Sequence, residues 1–210
     1  MKTNLIILLI IISYFVTSCR KRNETQNVTV PGEFKAWTIF QKDSYWIYLN
    51  ETTNQTDSTF VTDCHESFYN HGDQSGDYYT EDYRIQLSSK FLNYFWIYAG
   101  EDDYTTQEIS TYHLTEYILS MRRLKNPFAH ENLTGSIKSK VVEVLPTLQF
   151  NSNTYTNVYN ILVYYQKLDG DSVNDNFYLA KNIGLIKYKT KIGNADTTWS
   201  LLRYHVIQQN

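Results

Sequence analysis

Two cysteines are the strongest candidate nucleophiles in the sequence, because a thiolate outreacts other common side chains near neutral pH. Cys19 closes an apolar run and follows the small residues Thr17 and Ser18. There a peptidase can reach the bond between Ser18 and Cys19, and the sulfur can accept an acyl group. Cys64 stands beside His65 and Glu66, which raises a catalytic-dyad or metal-ligand reading. Neighbours along a strand point to opposite faces, so Cys64 and His65 are expected not to meet. Cys64 is therefore read as buried or inert.

The other polar clusters are weaker. His71 to Asp77 (HGDQSGD) and Asp169 to Asn176 (DGDSVNDN) are rich enough in oxygen to suggest Ca²⁺. Neither has the spaced acids and terminal Glu of an EF-hand loop, so both are expected to be solvated turns. Glu101, Asp102 and Asp103 could pair for acid/base work, but consecutive acids in a turn point outward. His65, His71, His113, His130 and His205 show no short metal-ligand spacing. No G-x-S-x-G, phosphate-loop or dinucleotide pattern occurs. No catalytic, metal or cofactor-binding residue is assigned, and no cofactor is expected. Trp37, Trp46, Trp96 and Trp199 are candidate stacking platforms for a sugar ring. Asp57-Ser58-Thr59, Asp171-Ser172-Val173 and Asp196-Thr197-Thr198 resemble the O-glycosylation triplets of Bacteroidota.

The amino-terminal segment must place Cys19. Lys2 supplies a positive start, and Leu5 to Val16 is an almost unbroken apolar run. Twelve helical residues span about 18 Å, well short of a bilayer core of about 30 Å, so the segment reads as a signal peptide. Val16-Thr17-Ser18-Cys19 resembles the lipobox of bacterial lipoproteins, which implies a diacylglycerol on Cys19 and cleavage before it. Each buried methylene contributes about 0.8 kcal/mol, so two or three chains hold where one holds marginally. Arg20, Lys21 and Arg22 then lead a polar stretch to Pro31-Gly32. It reads as a flexible tether whose basic residues can lean on anionic headgroups. The expected organisation is signal peptide 1–18, lipidated tether 19–32 and one β-rich domain 33–210.

Composition bounds the rest. Removing the first eighteen of 210 residues leaves 192, enough for one domain with a substantial core. The full sequence has 19 basic and 22 acidic residues, and loss of Lys2 shifts the net charge from −3 to −4. That balance lacks the basic footprint of a nucleic-acid binder. With 19 Tyr, 10 Phe and 4 Trp, the chain suits the pleated, half-buried surface of a sheet.

From Glu33 onward the sequence reads as strands and polar turns. Glu33 to Phe40 and Tyr45 to Asn50 are expected to pair as a hairpin across Gln41 to Ser44. Further strands are expected at Thr59 to Glu66, Tyr83 to Leu87, Phe91 to Tyr98, Lys138 to Leu145 and Thr154 to Lys167. Leu114 to Leu124 fits a helix through Leu114, Tyr117, Ile118, Met121 and Leu124, yet also fits a period of two. Phe177 to Lys181 is a short strand. Leu185 to Lys191 sets Ile186, Tyr188 and Thr190 on one face and Lys187, Lys189 and Lys191 on the other, a row that guards an exposed face or edge. Thr198 to Ile207 is expected to lie antiparallel to it. The expected fold is all-β with at most one short helix, an antiparallel meander curved into an open or partial barrel.

Three stretches resemble small cell-envelope lipoproteins of Bacteroidota-type bacteria: Phe40 to Tyr48 (FQKDSYWIY), Asn153 to Asn160 (NTYTNVYN) and Phe177 to Tyr188 (FYLAKNIGLIKY). Asn182 stands where that group often has Gly. The resemblance implies a curved antiparallel sheet similar in outline to lipoprotein-localisation carriers, and no catalytic residue. The leading reading is a non-enzymatic lipoprotein anchored through Cys19 to the outer membrane and facing the periplasm. Its partners would be the membrane and an apolar ligand or envelope protein held on the curved sheet. The alternatives are surface glycan capture and, third, a hydrolase.

Overall fold

A computed structural model of the chain describes residues 26–70, 78–89, 95–99, 104–109, 115–120, 132–134, 137–166, 172–192 and 195–208. The first strand, β1 (Gln26–Val28), leads into a short helix, α1 (Gly32–Thr38). Then come β2 (Tyr45–Asn50), β3 (Thr56–Asn70), β4 (Tyr78–Ser88), β5 (Phe95–Ala99), β6 (Tyr104–Ile109) and β7 (Thr115–Ser120). The second half holds β8 (Asn132–Thr134), β9 (Ile137–Phe150), β10 (Asn153–Gln166), β11 (Ser172–Ala180), β12 (Gly184–Ile192) and β13 (Ala195–His205).

These strands form one sheet built from two antiparallel meanders, β2 to β7 and β8 to β13, joined where β2 pairs with β13. The join aligns Tyr45 with His205 and Tyr48 with Leu201. Only β1 is parallel, setting Gln26 beside Tyr78 and Val28 beside Thr80. The sheet curls until β7 lies beside β9 and β10, without a strand pairing that closes the ring among the described residues. This is the open, curved antiparallel meander that the sequence led one to expect.

Alternation builds the wall. In β2, Trp46, Tyr48 and Asn50 are buried while Tyr45, Ile47 and Leu49 face outward. In β11, Val173, Asp175, Phe177 and Leu179 are buried in the same way. Turns follow local chemistry. Asn50 Oδ1 accepts from the backbone N–H groups of Thr52 and Thr53 at 2.9 and 3.0 Å, shaping the β2–β3 turn. Asn151 and Ser152 both take positive φ, 48° and 64°, as a two-residue hairpin of the twist-matched kind requires.

The β9–β10 hairpin bends partway along. Asn157, at φ 53°, faces Pro146, which has no N–H to give the ladder. Beyond the bend the tip reaches strands that are not its sheet neighbours. Asn151 Nδ2 donates to Leu201 O at 3.2 Å, and Lys187 Nζ sits 5.5 Å from the Phe150 ring centre.

Two sequence expectations change, and two that were left open are decided. Glu33 to Phe40 is helical over its first six residues, not a strand paired with β2. Phe34 and Trp37 lie three apart and bury one helical face, while Glu33 sits favourably in the first turn. Leu114 to Leu124 contains strand β7, so the period of two wins over Thr115–Ser120. Gln26–Val28, inside the expected tether, pairs with β4. The lysine row belongs to β12, which is paired on both sides, so it guards a face and not an edge. The acidic stretches at 71–77 and 101–103 and residues 169–171 lie outside the described residues.

The turn before β12 shows how backbone requirements place residues. Asn182 adopts φ 63°, the left-handed region that Asn tolerates best after Gly, and its N–H donates to Ala36 O at 2.8 Å. Gly184 has φ 86°, and a Cβ there would stand 2.9 Å from Phe40 Cε2. Gly184→Ala is therefore expected to cost about 1–3 kcal/mol, seen as a lower urea midpoint with an unchanged slope.

Candidate functional site

The concave side of the sheet is occupied by α1. Phe34 is fully buried and Trp37 nearly so, its ring meeting Tyr159 edge-on at 4.8 Å. The carboxy-terminal tail holds the far end of the helix, with Gln208 Nε2 donating to Ala36 O at 2.9 Å. Ser44 ties the tail to the start of β2, its Oγ accepting from Ile207 N at 2.9 Å.

Beneath the helix lies an apolar cavity of about 40 Å³, walled by Trp37, Phe40, Trp46, Tyr48, Ile85 and Leu179 among others. Two polar tips of its aromatic wall turn away into backbone, Trp46 Nε1 donating to Ile183 O at 2.6 Å and Tyr48 Oη to Leu185 O at 2.8 Å, whereas the Trp37 indole N–H is buried without a hydrogen-bond partner. The remaining surface is mostly hydrocarbon. A single water needs about 10–15 Å³ of such space, so the cavity accepts the end of an aliphatic chain and not its full length. A longer guest requires α1 to move.

One side of α1 is fixed by a buried polar cluster. Glu81, on β4, is 2% exposed and Tyr83 is 0% exposed, so their polar atoms must find partners inside the protein. Lys35 Nζ meets Glu81 Oε1 at 2.5 Å, Tyr83 Oη donates to the same oxygen at 2.6 Å, and Val30 N donates to Oε2 at 2.6 Å. Lys35 also donates to Tyr83 Oη at 2.9 Å. Burial pushes the Glu81 carboxyl upward, but the Lys35, Tyr83 and Val30 hydrogen bonds outweigh it and hold it below the ordinary glutamate value. Tyr83 is raised well above a normal phenol, first by burial and then by the Glu81 carboxylate. The pair is thus a fixed ion pair with a neutral phenol, suited to holding a helix in place.

Cys64 and His65 are not brought together, because their cross-strand partners, Ile85 and Arg84, sit on opposite faces of β3–β4. The Cys64 thiol is pushed up to about 11, first by partial burial and then by the charges of Asp63 and Glu66. Almost none of it is thiolate at neutral pH. Among the described residues no cluster of His, Cys, Asp or Glu has metal-binding geometry. His205 packs against Tyr45 at 5.8 Å, and His71, His113 and His130 lie outside the described residues. Trp37 and Trp46, expected as possible stacking platforms, are each 4% exposed and belong to the core. Trp199 is half-buried, and the Trp96 side chain lies outside the described residues. Among the glycosylation-like triplets, Ser58 and Ser172 are exposed.

Sequence reasoning missed the Lys35–Glu81–Tyr83 cluster, since Lys35 lies 46 and 48 positions from its two partners. The readable signal was the Glu81–Asp82 pair inside a strand, where one carboxylate of two must face inward. Burial pushes Asp82 up, against the attraction of Arg84 3.7 Å away.

Comparison with known proteins adds little to this geometry. No protein-family model and no curated protein matches the chain. Among solved structures, the chain is similar to a Parabacteroides distasonis protein provisionally assigned as a lipoprotein. The alignment covers 81% of this chain and 99% of that one, at 11% identity and a TM-score of 0.37. Function therefore rests on the chain's own residues.

Proposed function

We propose that the chain is a non-enzymatic envelope lipoprotein that takes an apolar group into the space beneath α1. Cleavage before Cys19 and acylation of its sulfur anchor the mature chain, and Arg20 to Thr25 link it to the body. The absence of Asp directly after Cys19 favours the outer membrane, with the body facing the periplasm. The observation that carries the ligand reading is the cavity wall of aromatic and aliphatic side chains, with the polar tips of Trp46 and Tyr48 already bonded to backbone. Burial of Trp37 and Trp46 removes two of the four indoles offered for a glycan reading.

The test is titration of a fluorescent C12 fatty acid into the full mature chain carrying Cys19→Ser, compared with the same chain carrying Leu87→Trp. Leu87 lines the cavity, and an indole there fills it. The expected result is saturable uptake by the parent, weakened at least tenfold by Leu87→Trp. No saturable uptake by the parent, or equal uptake by both, overturns the reading.

A further inference from the structure

We propose that the β3–β4 end of the barrel is a membrane-contact surface, lying at the headgroup level of the bilayer that holds the lipid anchor. This inference rests on the anchor at Cys19 proposed above. Three observations bring the surface and the bilayer together.

The first is where the chain leaves the body. Strand β1 runs parallel to β4, with Gln26 beside Tyr78, the first residue of β4. The chain therefore enters β1 at the β3–β4 end of the sheet. Seven residues, 19 to 25, separate Gln26 from the acylated sulfur. Fully extended they reach at most about 25 Å, so this end of the barrel cannot stand far from the lipid.

The second is what this end exposes. Phe68 is 51% exposed and Tyr69 44%, the former being the most exposed large apolar side chain among the described residues. Tyr69, Thr80 and Val28 form one row across three strands, so the rings stand beside the strand that carries the anchor. Phe68 and Tyr69 project on opposite faces of β3, which puts a ring on each side of the rim. Half-buried Tyr79 adds a third, its Oη accepting from Asn70 Nδ2 at 3.4 Å.

The third is the polar chemistry around the rings. Arg84 Nη2 donates to Tyr69 Oη at 2.8 Å, which fixes a guanidinium beside the phenol. Arg20, Lys21 and Arg22 add three positive charges to the short stretch of sequence between Cys19 and β1. Rings with polar tips accompanied by cations match the headgroup zone, where aromatics settle and anionic phosphates attract basic residues. The opposite end of β3 lies roughly 45 Å away, since the strand is 15 residues long at about 3.3 Å each.

The experiment uses the full lipidated chain in vesicles of phosphatidylethanolamine and phosphatidylglycerol that carry nitroxide on the headgroup. In a Cys64→Ala background, a fluorescent dye is attached through Tyr69→Cys or Asn70→Cys at the rim, and through Thr52→Cys in the β2–β3 turn as the distant control. Asn70→Cys leaves both exposed rings in place should Tyr69→Cys fold poorly. Intact mass of each sample reads the acyl chains on Cys19. Quenching at 69 and 70 is expected to exceed that at 52 at least threefold. Equal or smaller quenching at the rim, on protein whose mass carries the acyl chains, overturns the membrane-contact surface and leaves the anchor standing. A mass with Cys19 bare overturns the anchor, and this surface with it.

Discussion

Replacing Glu81 by Ala is expected to lower the stability of the body by about 3–5 kcal/mol, because it strands a partly buried ammonium. The Lys35 side chain is 23% exposed and that of Glu81 3%, so the lysine keeps some water and the loss falls toward the lower figure. Tyr83 Oη and Val30 N lose an acceptor at the same time. Lys35→Met together with Glu81→Leu is expected to recover most of the deficit, since two apolar groups need no partner. Urea unfolding of the three chains checks both statements. The pH dependence has a definite sign. Glu81 is held below the ordinary value of 4.5 in the folded protein, so its contribution is complete above that pH and fades as pH falls through the folded value. Asp82, raised by burial, acts in the opposite sense. The stability difference between the parent and Glu81→Gln cancels Asp82, and it is expected to be flat from pH 8 to 5 and to shrink below 4.5.

Phe34→Ala is expected to be as damaging, at about 3–5 kcal/mol, because the ring is fully buried and its removal leaves a void in the core. The helix has few resources of its own. It is seven residues long, begins after Pro31 and has no side-chain cap. Segments that short do not persist in water without tertiary contacts. Loss of Phe34 should therefore free α1 locally before the sheet melts. Hydrogen exchange is expected to quicken at the Ile39 amide, which bonds Lys35 O at 2.9 Å, while β2 and β13 stay protected at low denaturant. Uniform acceleration across the sheet would instead mean that helix and sheet unfold as one unit.

The sheet was largely legible because its strands carry their own period. Tyr45 to Asn50 and Leu185 to Lys191 alternate cleanly, and the strands expected at Lys138 to Leu145 and Thr154 to Lys167 pair as one hairpin. Helix α1 was hidden by ambiguity: Phe34, Ala36, Thr38 and Phe40 suit a strand, while Phe34 and Trp37 suit a helix. Only the space inside the curled sheet decides between them. The candidate site was hidden for a related reason. Trp37 and Trp46 looked like ligands' neighbours by type, yet their positions make them wall and filler. Lys35 and Glu81 meet only because β4 passes beneath a helix drawn from a distant part of the chain. The exposed rings of Phe68 and Tyr69 gain meaning from the parallel pairing of β1, which no local pattern announces.

The seam between β2 and β13 imposes an order on how this protein can be born. Tyr45 and His205, which it aligns, stand about 160 positions apart. Each meander can zip up from neighbouring hairpins as it emerges, but β2 keeps a raw flank until nearly the whole polypeptide has arrived. Long-range closure of that sort is slow, and an unpaired flank is sticky in the meantime. A chain crossing a membrane amino end first would thus wait, half assembled, for its last strand. Truncation before β13 would leave two unsealed half-sheets, prey for proteases.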